Sequence, residues 1–482
     1  MPMSQAFKNR LLPVLPKIVA HFGTPFHLYD ETGIRETGAR LQAAFAGLES
    51  FREYFAVKAL PNPRIMQIMQ SMGFGFDCSS VAELALSRQL GVTGDGIMFT
   101  SNNTSQADFL AAAADGGCIL NLDDISLVDK VPRMPDLICF RYNPGERRTG
   151  NSIIGTPLEA KYGVTHEQLL DAYRRAKARG ATRFGLHTML ASNERNYTYM
   201  VETARMLLDL VRWISAELDI RFEFINIGGG LGIPYKPEDA PLDIESMASE
   251  ITALFDAFKA QQGYVPALFL ESGRYMTGPH GVLVTRAINR KEIYRTYVGV
   301  DACMTALMRP GMDGAYHHIS VLGKQGNEET VDVAGSLCEN NDKFAIQRAL
   351  PHIADGDVLL IHAIGGGVEP GEMVLLAGLP SHGKSAVALQ IVEVFLKTSF
   401  EGGRHVAGAI TALRALRYDG KEYFWINDMH PRMVMHPTKP ELDGKDLTDN
   451  KDPQGKRLFV EFVDTVKRQG AGYVAYQWPK PG

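Results

Sequence analysis

Residues 222–230 read FEFINIGGG. The first six have the aromatic and β-branched character of a buried strand. Three glycines in a row, Gly228, Gly229 and Gly230, let backbone N–H groups close together on a phosphate. A glycine run by itself is more often just a tight turn. What decides the fold is that other apolar runs around this one also end in polar groups.

Working outward, such runs are EYFAVKA (53–59), GFGFDCS (73–79), GIMFTSN (96–102), GCILNLD (117–123), DLICFRYN (136–143), TRFGLHT (182–188) and ALFLESGR (267–274). Helix-period segments such as VAELALSRQL, SQADFLAAAA, THEQLLDAYRRAKARG and MASEITALFDAFKAQQ separate most of them. Eight buried strands with helical crossovers predict a parallel (β/α)8 barrel over 31–285. Lys58, Asp77, Asn102, Asn143, His187, Gly228 to Gly230, Glu271 and Arg274 all fall at or just past the C-terminal ends of the runs. That rim is where barrel enzymes build their sites.

From about 292 the period changes. TYVGVDACM, HHISVLG, TVDVAGSLC and DVLLIHA are strand-like and short on helix, and predict a β-domain formed by 286–363 and 1–30, with TPFHLYD (24–30) as an extra strand. The 482 residues exceed one ordinary domain, with 45% hydrophobic and 22% charged content. A net charge of -5 gives no reason to expect nucleic-acid or anionic-membrane binding. Five scattered cysteines suggest neither a disulfide framework nor a metal site. With no leader-like or membrane-length apolar run, the expected compartment is the cytoplasm.

FAVKALPNP puts Lys58 in an apolar strand, where an amine is expensive unless neutral or covalently used. A Schiff-base lysine and a rim lysine paired with a carboxylate both satisfy that stretch. ESGR (271–274) adds a carboxylate and a guanidinium; a carboxylate facing a pyridine nitrogen would keep it protonated.

FAVKALPNP, GFDCSSVAEL, RYNPG, EAKYG, FGLHTMLASN, INIGGGLG, ESGRYMTG, GVDACMTALMRPGMDGAYHHI and GSLCENNDKF together resemble the fold-III pyridoxal-phosphate decarboxylases, most closely diaminopimelate decarboxylases, from about residue 20 to 362. The resemblance implies an alanine-racemase-like barrel with a β-domain, and a homodimer with shared active sites. It implies decarboxylation of meso-diaminopimelate to L-lysine and CO2 through a Lys58 Schiff base. It places Gly228, Gly229, Gly230, Gly273, Arg274 and Ser192 around the phosphate, Glu271 at the ring nitrogen, and Asp77 and His187 at the cofactor. Arg274, Arg309 and Glu339 would hold substrate, and Cys338 from the partner chain, or Lys58, would donate a proton. No metal is implied.

The chain departs from that pattern in places. Met189 falls where a second, ring-stacking histidine is expected, Asp313 where tyrosine is common, and Asn340 where a small residue is usual. After GDVLLIH the family continues with a Gly-Ala-Tyr-Gly-like turn and a tyrosine reaching the phosphate; here the chain reads AIGGGVEPGEMV. Weaker cofactor affinity and lower activity are expected.

GLPSHGKS (378–385) fits a phosphate loop, with Gly378, Gly383, Lys384 and Ser385 between strand-like EMVLLAG and helix-like SAVALQIVEVFLK. It resembles the opening unit of a RecA-type ATPase over about 364–402. The sheet and Walker-B aspartate that ATP hydrolysis needs do not follow, so nucleotide binding with little or no turnover is expected. Residues 403–482 resemble the single-Cache sensor domain of chemoreceptors. In that family Tyr423, Trp425, Asn427 and His436 lie where small carboxylates bind; a core aromatic patch explains YFW equally well. The whole therefore reads as a composite chain with an α+β appendage, whose alternative function is small-carboxylate sensing or nucleotide binding.

Overall fold

A computed structural model describes residues 2–149, 153, 155–364, 417–418, 422–423, 425–427 and 430–469. The chain forms two units, Met1–Pro370 and Gly371–Gly482. The phosphate-loop residues Gly378, Gly383, Lys384 and Ser385 lie outside the described residues, as does the Tyr423 side chain.

In the first unit, β1 is Phe26–Tyr29. The next eight strands are β2 (Phe51–Ala56), β3 (Gly75–Cys78), β4 (Gly94–Ser101), β5 (Cys118–Leu122), β6 (Leu137–Arg141), β7 (Arg183–His187), β8 (Phe222–Asn226) and β9 (Ala267–Leu270). They pair in parallel in sequence order and close, β9 returning to β2. Each is one of the eight apolar runs. The crossover helices start where local chemistry dictates. Ser105 and Asp108 form a reciprocal cap on Gln106–Ala113, Thr165 and Gln168 do the same for His166–Ala178, and Asn62 caps Pro63–Ser71 with proline in the first turn.

The barrel lumen is plugged by Tyr54, Met98, Ile119, Leu137, Cys139, Phe224 and Phe269. The Phe224 and Phe269 rings stack 4.2 Å apart. Gly75 and Gly185 exist for this packing: a Cβ on Gly75 would lie 2.6 Å from the Tyr54 ring, and one on Gly185 would overlap Phe224. Strand side chains alternate faces, so the next inward position is two residues on. From Gly75, Cys139, Gly185, Phe224 and Phe269 that step reaches Asp77, Arg141, His187, Asn226 and Glu271. The apolar plug thus sits beneath a polar layer at the C-terminal mouth.

The remaining strands are β10 (Gly281–Glu292), β11 (Thr296–Val300), β12 (Ile319–Val321), β13 (Glu329–Ala334), β14 (Lys343–Leu350) and β15 (Val358–His362). Their sheet runs β12-β15-β10-β11-β13-β14, with β1 paired to β10. The sheet strand begins at Gly281, ahead of the expected boundary at 286, because GVLVT pairs with both β1 and β15. Among the described residues no helix is long and apolar enough to cross a membrane.

In the second unit, Arg417–Tyr418 pairs with Glu422–Tyr423 and Ile426–Asn427 with Met433–Met435. Helix Leu458–Gln469 contributes Leu458 and Phe459 to a small core with Met433 and Leu447.

Candidate active site

Lys58 is not on a strand. It follows β2 on the single 3-10 turn Val57–Ala59, closed by Leu60 N–H donating to the Val57 carbonyl at 3.1 Å. Gly273 lets the loop after β9 press against this turn: a Cβ there would lie 2.5 Å from Ala59 Cβ. Among the described residues Lys58 forms no close ion pair, yet its charge acts on the buried Glu271 and Asp77 carboxyls.

Glu271 is buried one position past β9. Its Oε1 accepts from Asn226 Nδ2 at 2.7 Å and its Oε2 lies 3.2 Å from His187 Nε2. Burial alone would raise this carboxyl, but His187, Lys58 and Arg141 more than offset it and hold it below the usual carboxylate range. An ionised carboxylate only accepts, so His187 Nε2–H is the donor; His187 Nδ1 is buried with no hydrogen-bond partner. Asp77 goes the other way. Burial, reinforced by the Glu271 charge, pushes it well above the usual range, against the pull of Lys58. The two carboxyls are therefore driven to opposite protonation states, a pattern suited to separate roles. Asp77 Oδ1 is buried without a hydrogen-bond partner.

The glycine turn follows β8. Gly228 and Gly230 have φ of +74° and +92°. A Cβ on Gly228 would lie 2.6 Å from the Thr188 carbonyl oxygen; Cβ atoms on Gly229 and Gly230 would overlap the Glu271 and Ala191 carbonyls. Ser192 adjoins Ala191 at this turn. Gly228 N–H donates to Asn226 Oδ1 at 2.8 Å. Gly229 N–H points at Met189 Sδ, 3.2 Å away. A thioether is a weak acceptor, readily displaced by a phosphate oxygen.

Arg274 Nη1 donates to Tyr235 OH at 2.7 Å. The positive charge of Arg309 acts on Arg274. Asp313 is what orients Arg309, accepting from its Nε and Nη2 at 3.1 and 3.0 Å. Asp342 ties this rim together, accepting from Met304 N–H at 2.6 Å and Leu337 N–H at 2.8 Å. Cys338 and Glu339 lie on the exposed turn between β13 and β14. Asn102 and Asn143 serve the rim's own structure: Asn102 donates to Asp123, and Asn143 to the carbonyls of Pro157 and Tyr162.

The structure thus gathers Lys58, Asp77, His187, Glu271, Gly273 and the glycine turn at the barrel mouth, with Arg274 leading toward Arg309. Sequence reasoning missed Asn226, Arg141 and Tyr235. The first two were findable from strand parity, two residues past Phe224 and Cys139. Arg141 pairs with Asp123 at 3.3 Å and stacks on Tyr162.

In the second unit the Trp425 ring lies 5.7 Å from Phe462 and 6.5 Å from His436. His436 Nδ1 accepts from Lys439 N–H at 3.0 Å, and Asn427 is half-buried.

The barrel, its glycine turn and its buried carboxylate define a pyridoxal-phosphate-dependent decarboxylase. The chain belongs to that family: the pyridoxal binding domain of the pyridoxal-dependent decarboxylases matches residues 32–278. Protein TabA of Pseudomonas amygdali pv. tabaci is 44% identical over 76% of this chain and 86% of its own length. Diaminopimelate decarboxylase of Methanothermobacter thermautotrophicus is 38% identical over 72% of this chain and 82% of its own. Among solved structures, diaminopimelate decarboxylase of M. jannaschii in complex with L-lysine superposes with a TM-score of 0.67 at 28% identity, covering 73% of this chain and 84% of that one. The Cache domain family matches residues 406–482.

The residues present fit pyridoxal phosphate. A bare turn with a weakly engaged N–H suits the phosphate. An ionised buried carboxylate suits a protonated ring nitrogen. The partnerless Asp77 Oδ1 and an amine without a paired carboxylate complete the donor and acceptor set.

Proposed function

We propose that this chain removes CO2 from meso-diaminopimelate to give L-lysine, using pyridoxal phosphate held through Lys58. The observation that carries the reading is the Glu271 carboxylate, buried yet kept ionised by His187, Lys58 and Arg141, and joined through Asn226 to the glycine turn. When bound, the cofactor supplies a sink for the electrons of the broken carbon–carboxylate bond. Glu271 holds a proton on the ring nitrogen by charge. Lys58 presents the amine that anchors the aldehyde end. Gly228, Gly229, Gly230, Gly273, Arg274 and Ser192 face the phosphate. His187, which contacts Glu271, and Asp77 would line the ring.

Arg309 and Glu339 recognise the far end of the substrate, and the thiol of Cys338 returns a proton to its α-carbon. The exposure of Leu337, Cys338, Glu339 and Met312 on one chain supports a homodimer in which Cys338 and Glu339 serve the partner's site. The substrate assignment rests on the diaminopimelate decarboxylases among the relatives and on the L-lysine complex. Protein TabA, at higher identity, carries no substrate in its name. The test is release of CO2 and L-lysine from meso-diaminopimelate, compared with L-lysine, L-ornithine and L-arginine as substrates. Preference for one of the latter three would overturn the assignment.

For the second unit, the Cache match and the Trp425–His436 pair support binding of a small carboxylate. Trp425 fluorescence titrated with acetate and pyruvate tests this; no change with either would remove it.

A further inference from the structure

Asn226 stands between the two ends of the cofactor site. Its Nδ2 donates to Glu271 Oε1 at 2.7 Å, and its Oδ1 accepts from Gly228 N–H at 2.8 Å. The second Nδ2 hydrogen faces Met98 Sδ at 3.1 Å. Both Asn226 and Met98 are wholly buried. The amide cannot be turned over: a flip would set oxygen against the carboxylate and N–H against N–H. The main chain closes the same circuit, with Glu271 N–H donating to the Gly228 carbonyl at 3.0 Å. Gly228 is therefore joined to Glu271 twice, once through the backbone and once through the Asn226 side chain.

We infer that Asn226 is a positioning residue that couples the aim of the Glu271 carboxylate to the closure of the glycine turn, so that filling one end of the cofactor site organises the other. The inference rests on the cofactor reading above and adds to it why an amide stands here. Alanine breaks both bonds. Aspartate keeps the acceptor toward Gly228 but has no donor for Glu271 unless protonated, and when ionised it sets a second negative charge against the first.

The test titrates pyridoxal phosphate into wild type, Asn226→Asp and Asn226→Ala from pH 5.5 to 8.5, following affinity by protein fluorescence and the bound cofactor by its visible absorbance. Asn226→Ala is expected to weaken binding on the order of tenfold throughout. Asn226→Asp should be weaker than wild type by at least about tenfold at the alkaline end and recover toward it as pH falls, because the carboxyl pair then takes up a proton. An Asp-to-wild-type affinity ratio that is flat with pH overturns the inference while leaving the cofactor reading intact. Failure of wild type to bind pyridoxal phosphate sinks both. Should Asn226→Asp not fold, Asn226→Ala is compared in the native and Glu271→Gln backgrounds. Its effect should shrink by about threefold or more in the latter, since the charge-assisted bond is already gone. An equal effect in both backgrounds overturns the inference.

Discussion

Gly273→Ala tests how closely the loop after β9 must approach the Lys58 turn. The added Cβ would lie 2.5 Å from Ala59 Cβ and 3.2 Å from Ala56 Cβ. Carbon atoms rest at roughly 3.5–4.0 Å, so the two segments must part by about 1 Å. Neither moves freely: Ser272 N–H donates to the buried Glu53 at 2.6 Å, and Glu271 N–H to Gly228. Overpacking of this kind costs about 1–3 kcal/mol. For a domain of this size that lowers the melting midpoint by roughly 2–4 °C per kcal/mol. The same displacement shifts Lys58 relative to Glu271, so pyridoxal phosphate affinity should fall by about tenfold or more, because about 1 Å of misplacement is expensive at a reacting centre. Differential scanning calorimetry and cofactor titration read the two effects separately. Ala59→Gly in the same chain removes the opposing methyl and should restore part of both. A Gly273→Ala variant that melts and binds like wild type, or one that Ala59→Gly fails to improve, would refute the reasoning.

Two further outcomes are expected. Asp77 binds its proton more tightly folded than unfolded, so its contribution to stability is full below about pH 4 and is lost as pH rises through its raised folded value. Cofactor-free Asp77→Asn should therefore melt like wild type near that acid limit and above it by pH 8; parallel melting curves at all pH would count against a protonated Asp77. Lys58→Ala and Cys338→Ala chains, each inactive alone, should recover about a quarter of wild-type activity when refolded together, since half the dimers then carry one intact shared site. Lack of recovery would place Cys338 and Lys58 of a site on the same chain.

The barrel was legible because parallel strands covered on both faces are continuous apolar runs, and each of the eight carries a polar or glycine residue at or next to its end. Lys58, Glu271 and the glycine turn stood out for the same reason: they interrupt apolar runs. Asn226 and Arg141 did not, because a polar residue inside INIG or FRYN is ordinary in composition and acquires meaning only from the inward parity set by Phe224 and Cys139. The role of Asp313 was equally hidden, since the sequence shows a tyrosine position filled by an acid but not the Arg309 guanidinium it holds. The boundary near 286 was misplaced because GVLVTRAINRKE is one continuous strand shared among three partners, β1, β15 and β11.

The account stands most directly on where pyridoxal phosphate attaches. Cofactor-loaded protein treated with borohydride and digested should yield one phosphopyridoxyl-modified peptide, the one carrying Lys58, and Lys58→Ala should yield none. Modification at another lysine, or equal labelling in Lys58→Ala, would contradict it.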